Sequence, residues 1–118
     1  MKRNDKLHFL TPAGKAIPIR IANTFGSRFL GLMGKKKGEY GLLLIPCNSV
    51  HTFFMRYNLD AVFLDKNNKI ISIKRLIKPF SLVPPVPKAR KVLEFPSSIH
   101  ATTYMNTEDQ ISFYSDQE

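Results

Sequence analysis

The chain has one cysteine, Cys47, in 118 residues, so no internal disulfide can form. No apolar run approaches the roughly 18 residues that a membrane-spanning helix needs. The basic start, Met1-Lys2-Arg3-Asn4-Asp5-Lys6, leads into neither an apolar segment nor a small-residue cleavage site, so it lacks the pattern of a signal peptide. Together these absences set the expectation of a cytoplasmic protein. There is no G-x-S-x-G nucleophile elbow, no double C-x-x-C metal pattern and no aromatic signature of an RNA-recognition sheet. No segment repeats. Basic residues are missing after Lys91, where five acidic residues give a net charge of −5.

The rest of the chain is basic. Residues 1–26 carry +4 and residues 27–91 carry +10, for a total of +9. A basic body with an acidic end attracts an anionic ligand or an acidic partner. The acidic end can equally fold back and screen it, and a lysine-rich surface often serves solubility alone. The length suits one domain over residues 1–118, with one core and a frayed acidic tail at 115–118.

Period-two patterns dominate. Leu7-His8-Phe9-Leu10 and Ile17-Pro18-Ile19-Arg20-Ile21 read as strands around a Pro12–Gly14 turn, with Pro18 suggesting an edge. Phe29, Leu32 and Met33 share one face of a short helix capped by Thr24 or Ser27 and stopped by Gly34. Gly41-Leu42-Leu43-Leu44-Ile45 fits a strand buried on both faces, and residues 50–55 fit another. Residues 61–64 and 69–77 form a hairpin, because Asn67-Asn68 tolerates the left-handed turn between them. Four prolines make residues 78–87 an extended crossover. A strand over 91–96, a short helix from Ser97-Ser98 to near Met105 and a last strand over 110–114 complete the chain. The expected fold is α+β but mainly β: a single compact antiparallel sheet or barrel-like domain with one or two short helices.

Polar chemistry concentrates in residues 46–65. Cys47, His51 and Met55 stand four residues apart, and a thiolate, an imidazole and a thioether would suit copper(I). On a strand, however, four residues span about 13 Å, too far to close on one ion. Burial of Cys47 and Met55 as apolar fillers is favoured, and no cofactor is expected. Cys47 activated by His51, His8 or His100 would make a hydrolase, with Asp60 or Asp65 to orient the histidine. Arg28, His51, Arg56 and Asp60 form the third set. Arg28 or Arg56 paired with Asp60 could lock the fold, or an arginine and a histidine could hold a carboxylate or phosphate. Fourth, Lys35-Lys36-Lys37, Lys74-Arg75-Lys78 and Lys88-Arg90-Lys91 could form a basic stripe, with Phe80 or Tyr40 for stacking, for sequence-independent nucleic-acid binding, although no motif supports it.

Five blocks, in order, resemble the domain of unknown function 192 family. They are Arg28-Phe29-Leu30-Gly31-Leu32-Met33, Gly41-Leu42-Leu43-Leu44, His51-Thr52-Phe53-Phe54-Met55, Leu59-Asp60-Ala61-Val62-Phe63-Leu64-Asp65 and Val92-Leu93-Glu94-Phe95-Pro96. The family pattern looks like R-x-x-G-L-M, a glycine-led apolar strand, an H-T/S-F-x-M block, an aspartate-bearing strand and V-L-E-L-x-A-G. The likeness runs from about residue 24 to 113. It implies a compact β-dominated domain of bacteria and archaea with no established biochemical role. Its signature residues fall on Arg28, Gly31, Met33, His51, Met55, Asp60, Asp65 and Glu94. Departures are Ser97-Ser98, where the family has a small-residue and glycine turn, and Glu108-Asp109, where it has glycine-aspartate. The expected function is a non-enzymatic binding or accessory module with a polar pocket around His51, Arg56 and Asp60, with Arg28 beside it.

Overall fold

The computed structural model describes residues 6–24 and 40–116. The strands in chain order are β1 (Lys6–Leu10), β2 (Ala16–Ala22), β3 (Gly41–Leu44), β4 (Val50–His51), β5 (Leu59–Leu64), β6 (Ile70–Ile77), β7 (Leu82–Val83), β8 (Lys91–Pro96) and β9 (Phe113–Asp116). Seven of them form one sheet in the order β6-β5-β8-β3-β2-β1-β9, and β4 pairs with β7 as a separate ribbon.

Local chemistry fixes the two hairpins. In the first, the Thr11 hydroxyl accepts the Lys15 N–H and Gly14 takes φ 93°, a conformation that glycine adopts without a Cβ penalty. In the second, the Asp65 carboxyl accepts the N–H groups of Asn67 and Lys69, and Asn68 sits at φ 66°. The asparagine predicted to tolerate a left-handed turn does so.

The sheet is mixed and open, not wholly antiparallel and not a closed barrel. β2 and β3 run parallel, with Ile19 opposite Gly41. Parallel neighbours need a crossover of a dozen residues or more, and residues 23–40 supply one. Pro18 does not mark an edge either. β2 lies inside the sheet, but its pairing with β3 begins only at Ile19, so the proline sits where that flank is still unpaired. At one end of the β6 edge, Ile70 donates to Asp109, Glu108 to Ile70 and Ile111 to Asn68. These bonds cover part of that edge without joining it to β9.

Helix is nearly absent among the described residues. The helix expected from Ser97 to Met105 is a single 3-10 turn, Ser97–Ile99, which ends where His100 enters the left-handed region at φ 54°. The strand expected over 50–55 stops at His51 because the Thr52 carbonyl turns to accept the Met55 N–H. The last strand begins at Phe113, not at residue 110. The helix expected around Phe29, Leu32 and Met33 lies outside the described residues, as do Arg28, Gly31 and Lys35-Lys36-Lys37.

Both faces of the sheet centre are buried. On one, Phe9, Ile17, Ile19, Leu43, Val62, Leu93 and Phe95 pack against Ile99, Ala101, Met105 and Ile111. On the other, Leu42, Leu44, Leu59, Ala61, Phe63 and Val92 pack against Val50, Met55 and Ala89. This double burial is why β3 reads as an unbroken apolar run, and why β5 and β8 are apolar but for Asp60 and for Lys91 and Glu94.

Gly41 reports how tight the first face is. A Cβ there would lie 2.6 Å from the Phe95 ring and 2.9 Å from Ile19 Cδ1. Phe95 is fully buried and cannot swing away. Gly41→Ala should therefore destabilise the fold by about 1–3 kcal/mol in urea unfolding. An unchanged midpoint would show that the two faces pack more loosely than described.

Candidate functional site

Two buried side chains organise the loops that cover the sheet. Asp60, on β5, is the first. Its Oδ1 accepts the Leu76 N–H at 2.9 Å and the Ser97 hydroxyl at 2.6 Å, and its Oδ2 accepts the Thr102 hydroxyl at 3.0 Å. Thr102 Oγ1 accepts Arg75 Nε at 3.0 Å in turn, and the Arg75 guanidinium also donates to the carbonyls of Thr102 and Met105. The arginine bound into this network is thus Arg75, reached through a threonine. Arg56 is exposed, and Arg28 lies outside the described residues. Asp60 has the strand parity of Val62 and Leu64, so it serves the face that Ile99 and Met105 cover.

Thr52 is the second, completely buried on the opposite side. Its hydroxyl donates to the Lys78 carbonyl at 2.7 Å and accepts the Ser81 N–H at 2.8 Å. Its N–H donates to Ser81 at 2.9 Å, and its carbonyl accepts Phe80 N–H at 2.8 Å and Met55 N–H at 3.2 Å. One residue therefore ties the turn after β4 to the loop before β7. The cap so formed carries His51, half-buried, whose Nδ1 accepts the Phe53 N–H at 3.3 Å and whose ring lies 5.2 Å from that of Phe53. It also carries Phe54 and Phe80, whose rings meet edge to face at 5.6 Å. They are 67% and 64% exposed, at φ 64° and 60°. Left-handed backbone is unfavourable for residues this bulky.

The structure divides the residues singled out from sequence. His51 and the buried Met55 belong to the cap side, and the Asp60 carboxyl to the other face, so one pocket does not gather them. Cys47 donates its S–H to the Ser49 carbonyl at 3.1 Å. Among the described residues, no three His, Cys, Asp or Glu side chains come together as a metal site. Asp65 is spent on its own turn, and those backbone N–H bonds, first that of Lys69, hold its carboxyl below the usual range. Of the basic stripe, Arg75 is turned onto Thr102 and Met105, and Lys91 onto Asn68 at 2.6 Å. Sequence reasoning missed Thr52, which lay inside a segment read wholly as strand, and Phe54; it singled out Phe80 only as a stacking residue for the basic stripe. The one available signal was Pro79-Phe80, an aromatic residue stranded in a proline-rich loop.

Glu94 occupies β8 opposite Leu42 and Ala61, on the cap side of the sheet. It is 3% exposed and receives no hydrogen bond or ion pair from the described residues. Burial alone pushes its carboxyl up to about 8. The phenol of Tyr57 is also raised, first by burial and then by Tyr40 and Glu94.

Two predictions follow from these carboxyls. Folded Glu94 keeps its proton up to about pH 8, whereas in the unfolded chain it ionises near 4.5. Between those values the folded state binds the extra proton, so stability must fall as pH rises, by up to about 1.4 kcal/mol per pH unit. Glu94→Gln should flatten the slope of urea stability between pH 5 and 8; an identical slope in both proteins would sink the assignment. Asp60→Ala strands three buried donors and should cost about 3 kcal/mol or more. A loss under 1 kcal/mol would mean that water replaces the carboxyl.

Comparison with known proteins places this architecture. The chain is 32% identical over 101 residues to a UPF0127 protein of Pyrococcus horikoshii, covering 81% of this chain and 87% of that one. It is 32% identical over 108 residues to a UPF0127 protein of Thermococcus sibiricus, covering 85% and 68%. A crystal structure of a protein of unknown function from Novosphingobium aromaticivorans superposes with a TM-score of 0.76 over 91% of this chain and 83% of that one, at 17% identity, and so shares the fold. The family model described as Uncharacterized ACR, DUF192, matches residues 8–113. The chain belongs to the domain of unknown function 192 family.

Proposed function

We propose that the chain is a non-enzymatic binding module whose contact surface is the cap anchored by Thr52. Phe54 and Phe80 form its apolar centre, with Phe53, Leu82 and His51 beside them. Arg56 and Lys78, from the same two loops, supply its charge. In this reading Asp60 works beneath the surface, holding the opposite face together so that the cap has a rigid base.

One observation carries the proposal. Two phenylalanines are held out into solvent, in contact with each other, on backbone that phenylalanine disfavours. Each such conformation costs about 1–3 kcal/mol and persists only where its surroundings enforce it. The six hydrogen bonds of Thr52, two of them from its hydroxyl to the Lys78 and Ser81 carbonyls, are that enforcement. Exposed apolar area maintained against strain supports a role in contact. Arg56 and Lys78 suit the charge of an anionic ligand.

The amphiphilic anion 8-anilinonaphthalene-1-sulfonate tests this. The native protein should enhance its fluorescence saturably. Phe54→Asn combined with Phe80→Asn should abolish the signal and leave the urea midpoint unchanged or higher, because asparagine tolerates the left-handed region. The reading fails if the native protein does not bind the dye or if the double variant binds it equally well.

A further inference from the structure

We infer that the cap docks on an anionic lipid surface, with Phe54, Phe80 and Leu82 entering the interface; the inference rests on the binding-module reading above.

Shape is the first argument. Phe54, Phe80 and Leu82 are each about two-thirds exposed, at 67%, 64% and 65%. Phe54 touches Phe80, and Leu82 pairs with His51, so all three belong to the exposed apolar tip of the cap. The cavities of about 490 and 460 Å³ are lined by other residues, one by Phe9, Met105 and Tyr114 and the other by Lys66, Lys69, Lys88 and Arg90. An exposed apolar tip outside a cavity suits a yielding medium that closes around it. Flat stacking on nucleobases does not fit, because the two rings meet edge to face and Leu82 has no ring.

Hydrogen bonding is the second. An apolar medium penalises every backbone donor left without a partner. At this tip the N–H groups of Phe53, Met55, Phe80 and Ser81 are already donated, to His51 Nδ1, to the Thr52 carbonyl twice and to the Thr52 hydroxyl. Thr52 accepts three of these four N–H groups and His51 the fourth, so these donors do not need water as a partner.

Charge is the third. No aspartate or glutamate occurs in residues 50–59 or 66–93, the stretches that contain both cap loops. Arg56 and Lys78 are exposed there. Cations beside an apolar tip, with no acid to neutralise them, match a surface of anionic headgroups.

The chain has no tryptophan, so Phe80→Trp installs a single reporter of the tip's surroundings. With vesicles of phosphatidylcholine and phosphatidylglycerol at 7:3, its emission should shift to the blue and the protein should co-sediment. Pure phosphatidylcholine vesicles and inorganic phosphate should produce neither effect. Arg56→Gln with Lys78→Gln should weaken vesicle binding about ten-fold or more. Phe54→Asn in the reporter protein should remove most of the blue shift. Phe54→Asn with Phe80→Asn in the native protein should abolish co-sedimentation. The lipid inference is overturned if the 7:3 vesicles are not bound or if the double asparagine variant still binds them. It is overturned equally if a single-stranded oligonucleotide, and not the vesicles, binds through the cap. Dye binding that depends on the cap, without vesicle binding, would sink this inference alone; loss of both would sink the binding-module reading with it.

Discussion

A sheet that is apolar on both faces has to be covered twice, and the described residues do most of that with loops. All six residues of β5 are buried, and the described residues contribute only one 3-10 turn of helix. Loops make poor covering layers, because their backbone N–H and C=O groups lack the internal pairing of a helix and must find partners once buried. Asp60 and Thr52 answer that problem on opposite faces. The Asp60 carboxyl binds a β6 amide and the hydroxyls of Ser97 and Thr102, and so fastens the segment after β8. Thr52 fastens the loop that precedes β7. Among the described residues, Asp60 makes no direct ion pair. The covering layers rest on a few buried polar groups whose hydrogen-bonding capacity is well used.

Two carboxyls on adjacent strands show alternative ways to bury an acid. Asp60 stands opposite Phe95, and Glu94 stands opposite Ala61, one step along and on the other face. Asp60 is ringed by donors. Glu94 has none among the described residues and avoids the cost of a buried charge by keeping its proton. Sequence alone gives no sign of this contrast. Both residues sit inside apolar runs; Asp60 is expected from sequence in a polar cluster, and Glu94 only as part of a signature.

What the sequence disclosed was local. The β5–β6 hairpin, β3 and β8 were legible because alternation, Asn68 and continuous apolar runs are short-range signals. The parallel pairing of β2 with β3 was not, because nothing within either strand encodes a neighbour reached through residues 23–40. Residues 50–55 misled for a definable reason. Their composition is that of a strand, but the Thr52 hydroxyl competes for backbone partners and turns the chain after His51. Asp60 is buried and polar as expected, but among the described residues the arginine of its network is Arg75, and Arg56 is exposed. Strand parity fixes the face on which a side chain lies, but the loop that arrives to cover that face is a tertiary fact. The polar pocket expected around His51, Arg56 and Asp60 came apart for the same reason: His51 and Asp60 serve opposite faces.

The cap inverts the usual relation between residue and conformation. At Gly14 and Asn68 the chain meets a left-handed backbone with residues that tolerate it. At Phe54 and Phe80 it does not, and Leu76 and Tyr104 share the departure. Strain at Leu76 has a visible return inside the fold, because its N–H reaches Asp60. Phe80 likewise donates its N–H to the Thr52 carbonyl, but most of the Phe54 and Phe80 side chains faces solvent, so burial of the rings returns little. Two such positions cost about 2–6 kcal/mol together, against a total stability of about 5–15 kcal/mol for a domain of ordinary size. Edge-to-face contact between the rings returns only about 0.5–1.5 kcal/mol. Among the described residues, packing of the two rings offsets only part of that cost. A partner outside the chain would offset more, which is what favours the cap over the fully bonded Asp60 network in the binding-module proposal.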